Sequence, residues 1–176
     1  MEVIPEAVVE ETWREVAQLS PSRAQKEMTR LSKAQPHLLE FVLAFTQELT
    51  EEATGLALYM LFVVWQMFRK CVPGDMAEIT AKEIGQTFKS IEEAMARLEG
   101  VHERFLERIA MQHMSAQPYV MKYVVETLME APEDEEPVPL TEEDQAYLFL
   151  LFRTVIDVLD GATGSSATRG TRRSRL

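Results

Sequence analysis

Apolar residues recur every three or four positions along most of this chain, the spacing that places them on one face of an α-helix. Combined with the residues that usually start and stop helices, the pattern predicts an all-α fold of eight helices. The predicted helices span residues 6–19, 22–35, 36–49, 51–71, 76–99, 101–116, 118–131 and 141–160.

A repeated sequence pattern divides these helices into two sets of four. The segment Ala34-Gln35-Pro36 returns as Ala116-Gln117-Pro118, and an apolar run follows each copy. The first run leads to Leu49-Thr50-Glu51-Glu52 and the second to Leu140-Thr141-Glu142-Glu143, with threonine as the predicted N-cap of the next helix. Self-similarity of this kind is typical of a duplicated supersecondary unit. It predicts two tandem four-helix repeats, at about residues 6–72 and 75–160, related by a pseudo-two-fold axis.

Two helices at the same place in both copies are apolar on nearly every side. They cover Leu56 to Phe68, interrupted by Gln66, and Ala146 to Leu159. A helix without a polar face must be surrounded by protein or by lipid. The first run has 13 residues, fewer than the roughly 20 that cross a bilayer. We therefore expect the two helices to pair at the centre of one domain, residues 1–160, inside the other six.

The charge of the chain is negative and unevenly distributed. The net charge is −11, and residues 1–160 hold all 29 acidic side chains but only 14 of the 18 basic ones. An acidic body repels nucleic acids and anionic lipids. We therefore expect no membrane binding, and nucleic-acid binding only through the arginines from Arg169 to Arg175. Residues 161–176 contain few apolar side chains, which predicts a disordered basic tail of unassigned role.

The first eleven residues and the cysteine content indicate the cellular compartment. Residues 1–11 carry four glutamates where a secretory signal has basic and then apolar residues. The single cysteine excludes an intramolecular disulfide framework, which is typical of exported domains of this size. Both features favour a cytoplasmic protein.

The residues that could support catalysis or metal binding are few and scattered. Glu99 and His102 have the spacing used by di-iron proteins, but such a site needs a second pair and two further glutamates, and Gly100 interrupts this one. Cys71 falls at the end of a predicted helix, where the helix dipole opposes a thiolate. The sequence has no glycine-rich phosphate loop and no paired-cysteine motif. We therefore predict that the protein is not an enzyme and has no cofactor.

The sequence favours a non-catalytic interaction or regulatory module that binds a protein partner, or a second copy of itself, through an apolar face. Its ten methionines suit a surface that accommodates a partner. The fifth predicted helix carries a narrow apolar stripe with the spacing of a coiled coil. The residues of this stripe are Ile84, Phe88, Ile91, Met95 and Leu98.

An alternative interpretation is an internal pocket between the two apolar helices, holding a small apolar ligand or a metal ion. Its predicted lining residues are Tyr59, Met60, Trp65, Tyr147 and Phe152. The sequence leaves the partner, the ligand and the oligomeric state open. It also leaves open whether the two repeats bind in the same way.

Overall fold

The computed structural model describes residues 1–96, 115–129 and 138–169, and the regular structure in these ranges is entirely helical. The all-α prediction is therefore confirmed. Most of the helix predicted at 101–116 lies outside the described residues, as do Glu99 and His102. The seven helices in the described ranges are α1 (Glu6–Ala17), α2 (Pro21–Ala34), α3 (Pro36–Phe45), α4 (Glu51–Cys71), α5 (Ala81–Ala96), α6 (Pro118–Met129) and α7 (Glu142–Arg169).

The helices of the repeated segments begin where the sequence predicts. The hydroxyl oxygen of Thr50 accepts a hydrogen bond from the backbone N–H of Ala53 at 3.2 Å. The hydroxyl oxygen of Thr141 accepts one from the N–H of Asp144 at 3.0 Å. Each bond satisfies an amide that has no partner within its own helix. Both predicted N-caps are thus confirmed.

Several helix boundaries differ from the prediction: α1 ends at Ala17 rather than at 19, α3 ends at Phe45 rather than at 49, and the largest differences are in α5 and α7. Helix α5 begins at Ala81 rather than at 76, because Thr80 forms a capping box in which its backbone N–H donates to the Glu83 carboxylate at 2.8 Å. Helix α7 was predicted to end at 160 but continues to Arg169. Gly161 does not adopt the left-handed backbone conformation that ends many helices. Beyond it, Thr163 is buried and Ala162 packs against the core.

Helices α4 and α7 contact each other and supply most of the large buried side chains, as expected for the two apolar helices. Nine residues of α4 are at most 2% exposed: Ala53, Ala57, Met60, Leu61, Val63, Val64, Trp65, Met67 and Phe68. Eight residues of α7 are at most 5% exposed: Leu148, Leu151, Phe152, Thr154, Val155, Ile156, Val158 and Leu159. Each of these eight follows a residue of the first set by the offset that separates Thr50 from Thr141, and Ala53 is the member of the first set without a buried counterpart. Within the described ranges, no helix is long and apolar enough to cross a membrane.

The contacts between helices come in matching pairs. Helix α1 packs on α4 as α5 packs on α7, and α3 packs on α4 as α6 packs on α7. Helix α1 also contacts α6, and α3 contacts α5, so the first helix of each half of the chain meets the helix that precedes the apolar helix of the other half. The two halves of the chain therefore share an interface beyond the central pair.

The glutamine of each repeated Ala-Gln-Pro segment is fully buried and binds backbone from the other half of the chain. The side chain of Gln35 donates to the carbonyl of Ala77 at 2.9 Å and accepts from the N–H of Ile79 at 3.0 Å. Ala77 and Ile79 belong to the segment that leads into α5.

Gln117 makes the corresponding contacts with the segment that leads into α1. Its side-chain oxygen accepts from the N–H of Ile4 at 2.8 Å, and its amide nitrogen donates to the carbonyl of Glu2 at 3.2 Å. The same nitrogen donates to the Asp160 carboxylate of α7 at 2.7 Å. Ile4 is 1% exposed and its counterpart Ile79 is 2% exposed, so each glutamine fixes a segment that inserts an isoleucine into the core.

Candidate functional site: a groove between α1 and α6

The face where α1 meets α6 carries a small, open surface groove. Each helix contributes four residues at positions i, i+3, i+4 and i+7, which lie on one side of a helix. The lining residues are Glu6, Val9, Glu10 and Trp13 from α1, and Tyr119, Lys122, Tyr123 and Glu126 from α6.

The groove presents aromatic rings to solvent. Trp13 and Tyr119 are each 38% exposed, whereas Val9 at the base is 4% exposed. Burial raises the pKa of Tyr123, and the neighbouring Tyr59 adds to the effect, so the Tyr123 hydroxyl is neutral at physiological pH. The site therefore has an apolar base, two half-exposed rings and a neutral phenol.

Acidic side chains surround these rings. The ammonium of Lys122 lies 2.7 Å from the Glu6 carboxylate and 3.8 Å from that of Glu126. The hydrogen bond to Glu6, followed by the charge of Glu126, raises the pKa of Lys122. Since Lys122 is the basic member of the lining and the acidic members number three, the lining is acidic overall.

One guanidinium already lies against the groove. Arg14 is centred 5.4 Å from the Trp13 ring and pairs with the Glu10 carboxylate at 3.2 Å. A cation over an indole face is attracted by the negative charge of the ring face. In this geometry the Arg14 guanidinium lies over the Trp13 ring and beside the Glu10 carboxylate.

The residues predicted to line an internal pocket do not line this groove. Met60, Trp65 and Phe152 are at most 2% exposed and belong to the core, whereas Tyr59 is 41% and Tyr147 is 40% exposed. The ring of Tyr147 stacks on Phe45 at 4.0 Å between centroids. The internal pocket stays a prediction.

The first residues of the predicted interaction stripe pack within the chain. Ile84 is 3% exposed, and the Phe88 ring makes edge contacts with Phe41 at 5.9 Å and with Phe45 at 5.6 Å. Ile91 is partly buried. The side chains of Met95 and Leu98 lie outside the described residues. The regular spacing at the start of α5 is thus accounted for by packing of Phe88 against α3.

The polar residues considered for chemistry take ordinary structural positions. In the described ranges, no group of three or more His, Cys, Asp or Glu side chains could hold a metal ion. The His37 ring lies between Glu40 at 3.3 Å and Glu78 at 3.6 Å. Burial raises the pKa of Cys71, which disfavours the reactive thiolate.

A partly buried ion pair connects α2 to α4 beside Trp65. The guanidinium of Arg69 lies 2.8 Å from the Glu27 carboxylate and 5.1 Å from the centre of the Trp65 ring. The Gln66 amide donates to the same carboxylate at 3.3 Å. Burial acts to raise the pKa of Glu27, but the hydrogen bonds from Arg69 and Gln66 outweigh it and leave that pKa below its ordinary 4.5. These contacts fix α2 against the central helix.

The lowered pKa of Glu27 makes a testable contribution to stability. A carboxyl whose pKa is lowered by folding stabilises the native state above its unfolded pKa, and the contribution is lost as pH falls through the folded pKa. We therefore expect Glu27→Gln to lower the free energy of unfolding at neutral pH, with a deficit that shrinks below pH 4.5. Urea unfolding over a pH series measures this difference. The exposed Glu11→Gln is the matched control, and an equal pH profile for both variants would contradict the assignment.

The groove was not predicted from the sequence because both of its faces also look like ordinary packing faces. Trp13 lies on the apolar stripe of α1, and Tyr119 follows the repeated proline that starts α6. The signal that indicates the groove is the combination of aromatic and acidic residues at positions i, i+3, i+4 and i+7 of both helices. That signal has no meaning until the two helices are known to be neighbours.

Comparisons with protein-family models, with curated proteins and with solved structures give no significant match for this chain. The function must therefore follow from the geometry of the chain itself.

Proposed function

We propose that this protein is a non-catalytic cytoplasmic interaction module that binds a protein partner through the groove between α1 and α6. The observation that carries the proposal is the pair of half-exposed rings, Trp13 and Tyr119, above a buried base. Tryptophan and tyrosine are the residues most enriched among those that dominate binding energy at protein interfaces. Acidic side chains around them give an apolar centre with a charged rim.

The architecture that we propose is two tandem four-helix repeats related by a pseudo-two-fold axis, with the eighth helix within 101–116. Four independent features support it: the paired threonine caps, the matching buried positions of α4 and α7, the matching helix contacts, and the exchanged glutamine contacts. Gln35 holds the start of the second half and Gln117 holds the start of the first.

Under the proposed symmetry, the interface between α3 and α5 corresponds to the groove, but different side chains occupy it. Phe88 is the counterpart of Trp13, because the two are as far apart in the sequence as Ile79 and Ile4. Phe41 is the counterpart of Tyr123, because the two are as far apart as Gln35 and Gln117. On the α3–α5 side, Phe45 and Tyr147 stack beside these rings. The residues in the corresponding places near the groove are Thr127 and Leu56.

This difference supports binding on one side of the molecule. On the α3–α5 side the Phe88 ring packs against Phe41 and Phe45 of the same chain, whereas its counterpart Trp13 on the α1–α6 side is 38% exposed. The two repeats are therefore proposed to bind differently, the α1–α6 groove receiving side chains from outside the domain. A partner that presents an apolar ring or a planar cation would occupy the position that Phe45 and Tyr147 fill on the other side.

Paired tyrosine variants test the proposal. Tyr119→Ala removes a ring from the groove, and Tyr147→Ala removes an equally exposed ring from the opposite interface. Because truncating a central interface residue costs about 2 kcal/mol or more, we expect Tyr119→Ala to weaken partner binding by roughly 30-fold. Tyr147→Ala should leave binding unchanged. Affinity capture followed by titration of the captured partner measures both.

Stability is measured on the same variants so that a folding defect is not mistaken for lost binding. Sedimentation of the wild-type protein separates a foreign partner from a second copy, because only self-association depends on the protein's own concentration. A partner that tolerates Tyr119→Ala but is lost with Tyr147→Ala would place the binding surface on the opposite side and overturn the proposal.

A further inference from the structure

We propose that helix α2 is a lid, which rotates away from α4 about its own C-terminal end and uncovers Trp65 while the rest of the protein stays folded. Helix α2 packs on α3 and α4 and contributes no residue to the groove lining, so this inference does not depend on the function proposed above. The small apolar burial of α2, the difference between its two ends and an unpaired donor on α4 support it.

Little apolar surface holds α2 in place. One of its 14 residues, Leu31, is fully buried, whereas α6 buries four of its 12 residues. Met28 and Ala34 of α2 are partly buried against the core. Because packing of an apolar face supplies most of the stability of a helix in a protein, α2 separates from its neighbours more easily than α6.

The two ends of α2 differ in how they are held. At the C-terminal end, Leu31 is fully buried, and the buried side chain of Gln35 binds backbone of the segment that leads into α5. At the N-terminal end, residues 21–23 are exposed, and the side chain of Ser20 caps no backbone N–H of the helix. A helix held at one end opens by rotation about that end, which places the hinge beside Gln35.

One carboxylate in the middle of α2 connects it to α4. Glu27 accepts hydrogen bonds from the Arg69 guanidinium at 2.8 Å and from the Gln66 amide at 3.3 Å. The same guanidinium is centred 5.1 Å from the Trp65 ring, so Glu27 holds α2 beside this tryptophan. The side chains of Arg69 and Glu27 are 29% and 25% exposed. Water already reaches both partners, so their separation requires less free energy than that of a fully buried pair.

The indole of Trp65 favours opening. Trp65 is 2% exposed, and its Nε1 is buried and donates to no acceptor in the described part of the chain. A buried donor without a partner destabilises the closed state. When α2 moves away, water reaches the indole N–H and accepts its hydrogen bond, so opening recovers part of that loss. The unpaired donor and the small apolar burial therefore both reduce the free energy of opening.

Native-state hydrogen exchange of the full chain measures the opening. We expect the backbone amides of residues 25–30 to share one opening event that depends little on denaturant, and to exchange roughly 100-fold faster than those of residues 60–68 in α4. The Trp65 indole N–H should exchange through the same event. The indole N–H of Trp13, which is 38% exposed, provides the reference for an accessible indole. The Gln35 amide, which donates to the Leu31 carbonyl at 2.8 Å, should stay protected at the hinge.

Two matched variants test the role of Glu27. Glu27→Gln removes the charge that pairs with Arg69, and it should accelerate exchange of the α2 amides and of the Trp65 indole by the same factor, about tenfold. Glu15→Gln removes the carboxylate of α1 that pairs with Lys70, the next residue of α4, at 2.6 Å. Because Glu15 does not hold α2, this control should leave both exchange rates unchanged.

Three results would overturn the inference. The first is exchange of the α2 amides only through the same denaturant-dependent unfolding as the amides of α4. The second is early exchange of α2 with a Trp65 indole that exchanges only on global unfolding, because α2 would then fluctuate without uncovering that tryptophan. The third is a rate that decreases residue by residue from position 25 to position 30, which indicates fraying of the helix end instead of one lid movement.

Discussion

Replacing Gln35 with leucine is expected to lower the free energy of unfolding by roughly 2–5 kcal/mol, since each buried polar group left without a partner costs about 1–3 kcal/mol. Leucine has a similar volume but leaves the carbonyl of Ala77 and the N–H of Ile79 without their hydrogen bonds. Gln117→Leu should cost at least as much, because the Asp160 carboxylate also loses a donor. Denaturant unfolding of each variant measures the loss as a shift of the midpoint.

Two controls separate the lost hydrogen bonds from a general effect of leucine. Gln25 is exposed in α2, and Gln25→Leu should change the free energy of unfolding by less than about 0.5 kcal/mol. Gln117→Glu keeps the size and the acceptor but replaces a donor with a charge facing Asp160, so it should be more destabilising than Gln117→Leu. If Gln35→Leu and Gln117→Leu unfold at the wild-type midpoint, the glutamine contacts do not stabilise the junction between the halves.

The second large effect is expected from the central helices. Phe152 is fully buried in α7, and its counterpart Leu61 is fully buried in α4. Phe152→Ala should lower the free energy of unfolding by about 3–5 kcal/mol, because the core loses apolar contacts and keeps part of the cavity. Leu61→Ala should lower it by about 2–5 kcal/mol for the same reason. Thermal and denaturant unfolding of both variants provide the measurement.

Leu43→Ala is the matched control for the core variants. Leu43 is 44% exposed on α3, so removing the same atoms there leaves little cavity, and a change below about 1 kcal/mol is expected. The double variant Leu61→Ala with Phe152→Ala adds a test of contact between α4 and α7. Additive costs would indicate that the two side chains act in separate parts of the core, and a coupling of about 0.5–3 kcal/mol would indicate a shared cavity.

The effects of these variants connect stability to the candidate site. Gln117 immediately precedes α6, and the segment that it holds leads into α1, so its hydrogen bonds position both walls of the groove. Loss of these bonds should therefore weaken partner binding as well as folding. The Gln35 contacts act at the other junction, between α3 and α5. Gln35→Leu should reduce stability with a smaller effect on the groove.

Local signals predicted the helices well because they depend on residues close in sequence. The threonine caps at Thr50 and Thr141 bond to amides three residues away, and the apolar runs of α4 and α7 need no knowledge of their neighbours to predict burial. Boundaries were less accurate where a local rule competed with packing. Gly161 resembles a helix stop, yet α7 continues past it, with Thr163 buried beyond.

The candidate site could not be predicted in the same way. Residues of the α5 stripe form a coiled-coil pattern, but Ile84 is buried and Phe88 packs on α3 within the chain. The same pattern in α1 leaves Trp13 half exposed. The difference depends on which residues of distant helices fill the adjacent space, and a periodic pattern carries no information about them.

The sequence by itself determined that this chain is helical, that α4 and α7 are buried, and that Gln35 and Gln117 occupy repeated positions. Only the tertiary structure decided that each glutamine binds backbone from the other half, and that α1 and α6 border an aromatic, acidic groove. The physical reason is the distance along the sequence between the residues that interact. Helix periodicity and capping arise from bonds within one turn, whereas exposure and hydrogen-bond partners of buried side chains depend on residues as far apart as Ile4 and Gln117, which are separated by 113 positions.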